Sequence, residues 1–143
     1  MRLAADPDMD ADAITESLEQ VAERCADPTA AVYDILFSRH PEMRTLFVRD
    51  VSGAVRGQML NQAIEIVLDH VGARYFSRNF VASEVINHDG LGVPPDVFAS
   101  FFGVMRDAFR IILGPEWTPR YDMAWRELVG DLSAFAGAEA LTS

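Results

Sequence analysis

Apolar positions recur at helical spacing along almost the whole chain. Ile14, Leu18, Val21 and Cys25 fall on one face of a first helix. Asp27 followed by Pro28 predicts the start of a second, with the acid as cap and proline at the first helical position, and His40-Pro41 ends it. A short turn takes the chain from Pro41 to Phe47. Ser52 is then placed to cap a long helix on which Val55, Met59, Ala63, Val67 and Val71 repeat every fourth residue, and Gly72 closes it. A segment from about Asn79 to His88 stops at Asp89-Gly90, and Pro94-Pro95 opens a strongly hydrophobic helix running to Leu113. Gly114-Pro115 interrupts the pattern, and Thr118-Pro119 begins a last helix carrying Met123, Trp125, Leu128 and Leu132. No stretch keeps the period-two alternation of a strand. The reading is all-α with six to eight helices, whose unequal lengths and two short segments argue against a symmetric four-helix bundle.

The expected layout is one domain over residues 12–136, between an acidic, aperiodic segment 1–11 and a small, polar tail 137–143. With half of the 143 residues hydrophobic and a mean hydropathy of +0.06, the chain has enough apolar surface for a core.

Charge narrows the function classes. Twenty-two acidic against twelve basic residues give a net charge of −10, which opposes binding to nucleic acid or to an anionic membrane surface. All twelve basic residues are arginine, so Schiff-base lysines and P-loop lysines are excluded. One cysteine, Cys25, cannot form an internal disulfide, and three widely spaced histidines cannot assemble a closed zinc site. The first residues lack an apolar signal core, and the longest strongly apolar run, Val97 to Met105, is too short to span a bilayer. The expectation is a cytoplasmic protein, neither secreted nor embedded in a membrane.

Four motifs then point one way. Tyr33-x3-Phe37-x2-His40-Pro41-Glu42-x3-Leu46-Phe47 resembles the second helix and following corner of bacterial haemoglobins. His88 followed by Gly92, Val93 and Phe98 is similar to the proximal histidine region of the same proteins. Ala124-Trp125 resembles their last-helix pair, and Val55-Arg56-Gly57-x2-Leu60 has the shape of their distal segment, with Arg56 and His88 separated by 32 residues as a gap-free match requires. Residues 12–136 thus resemble the globin family, in particular single-domain bacterial haemoglobins and the haem domain of flavohaemoglobins.

The resemblance implies a globin fold around a haem b, iron protoporphyrin IX, held without covalent attachment because no C-x2-C-H motif exists. It makes His88 the iron ligand and Phe47 the corner ring packed flat on the porphyrin. Val93, Phe98, Leu60 and Ile64 become apolar walls, where haem contact and core packing overlap. On the distal side Tyr33 matches a tyrosine whose hydroxyl donates to bound dioxygen, which carries partial superoxide character. Arg56 stands where globins often carry His or Gln, and could pin an anion, reach a propionate or lie in water. His70 falls fourteen residues beyond Arg56, roughly 21 Å further along the helix axis, and is not expected to ligate.

Two departures concern the proximal side. The flavohaemoglobin-type tyrosine and glutamate fall on Val129 and Ala140, so the resemblance implies no relay of that kind. Glu84 stands one turn before His88, where it either accepts a hydrogen bond from the imidazole or points into water, the second being the expected arrangement because a desolvated carboxylate is costly.

The implied function is reversible binding of dioxygen and other small ligands. A nitric oxide dioxygenase is the enzyme alternative, and with no room for a flavin or nicotinamide domain it would need a separate reductase. A haem-free sensor or interaction module is the third reading, and the trio Tyr33, Phe47 and His88 argues against it.

Overall fold

The structure, a computed structural model, describes residues 10–137. Six α-helices and two short 3-10 segments make up these residues. They are α1 Ala11–Arg24, α2 Thr29–Arg39, α3 Ala54–Val71, α4 Ser77–Gly90, α5 Pro95–Leu113 and α6 Pro119–Phe135, with 3-10 turns at Pro41–Phe47 and Gly114–Glu116. There is no strand among the described residues, as the periodicity predicts. The expected loose ends fall almost entirely on residues 1–9 and 138–143, which lie outside the described residues, as does Ala140.

Two helix starts differ from expectation. The second helix begins at Thr29, with Asp27 accepting from the Thr29 backbone N–H at 3.1 Å and its hydroxyl at 2.5 Å. At α3, Ser52 accepts only a 3.3 Å bond from Ala54, while the carboxylate of Asp50 takes the N–H groups of Val55 and Arg56 at 3.1 and 3.0 Å. Gly53 makes this possible: its φ of +81° turns the chain so that a residue well before the helix reaches the first-turn donors. Asp69, near the end of α3, holds the entry to α4, accepting from Tyr75 and Phe76 ahead of the helix and from Ser77, its first residue, at 2.8–3.0 Å. Thr118 caps α6 as read from the sequence, accepting from Tyr121 at 3.1 Å.

The centre of the molecule is α5, which packs against α1, α2, α4 and α6 and carries the longest buried apolar face. Trp125 of α6 is fully buried there, its ring edge-on to Phe109 at 5.7 Å between centroids. Burying an indole requires a partner for its N–H. Ser17 of α1 accepts it at 2.8 Å and donates its own hydroxyl hydrogen bond to the carbonyl of Ile14 at 2.7 Å. A charged group is also taken inside at Asp107, which Arg39 of α2 and Arg106 hold at 2.7 and 3.0 Å. Burial raises its carboxyl, but these bonds outweigh burial and hold it below the ordinary value.

Helix α3 does not join that central packing along its whole length. It lies over α4 and α2, and between its inner face, the end of α2, α4 and the start of α5 the helices leave a pocket.

Candidate functional site

The pocket holds about 720 Å³ of empty space, counted out to and including its open mouth. Apolar side chains form most of its wall, among them Leu36, Met43, Phe47, Val93 and Phe98. Four polar side chains reach it: Tyr33, Gln62, Glu84 and His88.

His88 sits in the last turn of α4, and the motif that follows it has a local physical reason. Gly92 takes φ +100°, which lets the Val93 N–H return to the carbonyl of His88 at 2.8 Å and its own N–H to Asp89 at 3.1 Å. This is the Schellman closure of a helix, and a glycine at that position avoids the left-handed penalty. It ends α4 just beyond the histidine and sends the chain through Pro94 into α5, whose Phe98 ring packs edge-on to the imidazole at 4.8 Å. The Nδ1 of His88 lies 2.8 Å from the backbone carbonyl oxygen of Glu84. A carbonyl only accepts, so Nδ1 carries the proton and Nε2 keeps a free lone pair. That is how ligating histidines are prepared.

Tyr33 is almost completely buried, and its hydroxyl has no hydrogen-bond partner. Three rings surround it, those of Phe37, Phe47 and Phe101, with centroids 5.5–5.8 Å away. Burial pushes the phenol well above its ordinary pKa, with the positive field of Arg56 opposing and Asp50 adding, so the group is a neutral donor at every physiological pH. A buried hydroxyl without a partner is rare in a folded chain. Beside a pocket, it marks a place where something else supplies the acceptor.

Tyr33, Phe47, His88, Val93 and Phe98 are therefore brought together around one pocket. Arg56, Leu60 and Ile64 are not among the residues lining it. Arg56 folds back onto Asp50, Leu60 is fully buried in the core, and Ile64 is half-buried against it. The residues of α3 that do line the pocket are Met59, Gln62, Ala63 and Ile66, spaced by three, four and seven. Leu60 is one residue round from Met59, about 100° on the helical wheel. Met59 and Ala63 already stand in the four-residue repeat of this helix, which was the signal available for them.

The other histidines lie apart from the pocket. His70 is buried with Nε2 2.9 Å from the carboxylate of Asp131 and its ring edge-on to Phe135 at 5.3 Å. His40 closes α2 through its backbone N–H, and its ring stands 3.7 Å from the Glu42 carboxylate. Glu84 does not lie free in water: its side chain is 26% exposed, lines the pocket and accepts from Asn87 at 3.0 Å. Among the described residues no helix is long and apolar enough to cross a membrane.

Compared with known families, residues 30–136 match the family model described as Globin. No curated protein and no solved structure shows a significant match. The match covers most of the chain, from the helix that carries Tyr33 to the end of the one that carries Trp125, and takes in every residue around the pocket. The chain belongs to the globin family, whose members typically hold a haem that binds small gaseous ligands.

Proposed function

We propose that this chain holds one haem b in the pocket, with His88 as its iron ligand, and reversibly binds dioxygen and other small ligands as a cytoplasmic protein. The observation that carries the reading is the orphaned hydroxyl of Tyr33 in the same pocket as an imidazole whose Nε2 is left free. When bound, the haem supplies an iron centre with an open face for a small ligand. What remains is the work of the chain.

His88 offers its lone pair in a fixed tautomer, because the Glu84 carbonyl takes the other ring proton. Among the described residues no group of three or more His, Cys, Asp or Glu side chains could hold a metal, so an iron here would bring further ligands of its own, as a porphyrin does. The apolar wall suits a flat hydrophobic ring and keeps water from it. Tyr33, held between aromatic rings, donates one hydrogen bond to a ligand carrying negative charge. A ligand such as dioxygen thereby gains an acceptor role that carbon monoxide fills poorly. Against a haem-free module stands the cost of that hydroxyl, about 1–3 kcal/mol for a buried donor left unpaired.

The test is the absorption spectrum of the purified protein during titration with haem. A Soret band saturating at one haem per chain, lost in His88→Ala, is expected; a chain that takes up no haem overturns the proposal.

A further inference from the structure

We infer that Glu84, steered by Asn87, is a positioning residue that strengthens His88 as an electron donor through Nε2. The inference rests on the proposed role of His88. Glu84, Asn87 and His88 occupy positions i, i+3 and i+4 of α4 and so share one face. One carboxylate oxygen of Glu84 accepts from the Asn87 amide at 3.0 Å, and the other stands 3.7 Å from His88 Nδ1. Two oxygens of one residue therefore lie near Nδ1: the carbonyl at 2.8 Å, which takes the ring proton in a hydrogen bond, and the carboxylate at 3.7 Å.

The carboxylate need not displace the carbonyl to act. A negative charge on that side of the ring polarises the N–H bond and moves electron density toward Nε2. The surroundings favour the effect, because an apolar pocket wall screens the charge less than water would. The usual objection, the cost of stripping a carboxylate of water, does not apply here. Glu84 keeps 26% of its side chain exposed and has the Asn87 amide for its second oxygen. The tether also sets direction, because it fixes one carboxylate oxygen on Asn87 and leaves the other beside His88.

The experiment uses the full chain loaded with iron protoporphyrin IX, with haem content checked first. Wild type, Glu84→Gln and Asn87→Ala are compared by the iron–histidine stretching band in resonance Raman spectra and by the ferric/ferrous midpoint potential. Glu84→Gln keeps the size of the side chain and removes its charge. It is expected to move the stretching band to lower frequency and raise the potential, with Asn87→Ala moving both the same way by less. Were Glu84→Gln unable to hold haem, Asn87→Ala would carry the comparison. Haem bound with both readouts unchanged overturns the inference alone, whereas a wild-type chain that binds no haem overturns the proposed function and this inference with it.

Discussion

The guanidinium of Arg56 lies along Asp50, its Nε 3.0 Å from the carboxylate and its Nη2 2.7 Å from the backbone carbonyl of the same residue. The same carboxylate caps the first turn of α3, so charge pair and cap are one unit. Two of the five guanidinium N–H groups are so engaged, and they hold the head at Asp50, although Arg56 shares a helix face with the pocket residues Met59 and Ala63. Arg56→Leu is therefore expected to lower the stability of the fold while changing the oxygen dissociation rate little. Stopped-flow release kinetics and denaturant titration separate the two, and a tenfold faster release in Arg56→Leu would place the side chain in the pocket after all.

Tyr33 is expected to behave in the opposite way. A neutral hydrogen bond to a bound ligand contributes roughly 0.5–1.5 kcal/mol, so Tyr33→Phe should speed oxygen release by about tenfold at the upper end. Carbon monoxide release should change much less. In the haem-free protein the same substitution removes a buried hydroxyl with no partner, and the stability should stay level or rise. A marked loss of stability in haem-free Tyr33→Phe would mean that the hydroxyl is already satisfied.

The register of α3 can be tested by two substitutions of opposite kind. Leu60 is core, so Leu60→Ala should cost about 2–5 kcal/mol of stability whether or not haem is present. Ala63 lines the pocket, so Ala63→Phe should fill the space and weaken haem uptake. Circular dichroism against denaturant reports the first and Soret titration the second. If Leu60→Ala instead spares stability and weakens haem binding, the pocket stripe is the one the sequence suggested.

Asp69 links stability to pH. Burial works against its ionisation, yet the backbone N–H groups of Phe76, Ser77 and Tyr75 hold its carboxyl below the ordinary value. A carboxyl lowered in the folded state stabilises it above the unfolded pKa, and the contribution disappears as pH falls through the lower, folded one. Asp69→Asn should cost about 0.5–2 kcal/mol at neutral pH, typical of a lost cap, and little in strong acid. Urea denaturation as a function of pH is the measurement, and equal losses at both ends would contradict it. Because α4 carries His88, the variant should also loosen haem binding.

Ser17 matters for a different reason. Ser17→Ala leaves the indole N–H of Trp125 buried without an acceptor, at a cost of about 1–3 kcal/mol, and neither residue lines the pocket. Haem affinity should be unchanged in the folded protein. A neutral effect on unfolding would mean that another acceptor takes over.

Local rules written in the sequence determined the elements and one half of the pocket. Proline, glycine and cap residues mark ends wherever the physics is contained within a few residues, as at His40-Pro41, Thr118-Pro119 and the Gly92-Val93 closure after His88. The motif around His88 is legible for that reason: a histidine, the glycine that turns the chain and the phenylalanine that packs on the ring lie within eleven residues. Tertiary structure alone decided the rest. Asp50 and Asp69 hold helix starts from a distance, because loop geometry brings them back to donors five to eight residues further along the chain. The pocket stripe of α3 is Met59, Gln62, Ala63 and Ile66 because rotation of a helix about its axis is set by what packs on both of its sides. An apolar periodicity shared by two burial environments cannot say which stripe meets the core and which the cavity. The fates of Arg56 and Glu84 were settled in the same way, by Asp50 and Asn87, since the position of a long charged side chain depends on which partner comes within reach.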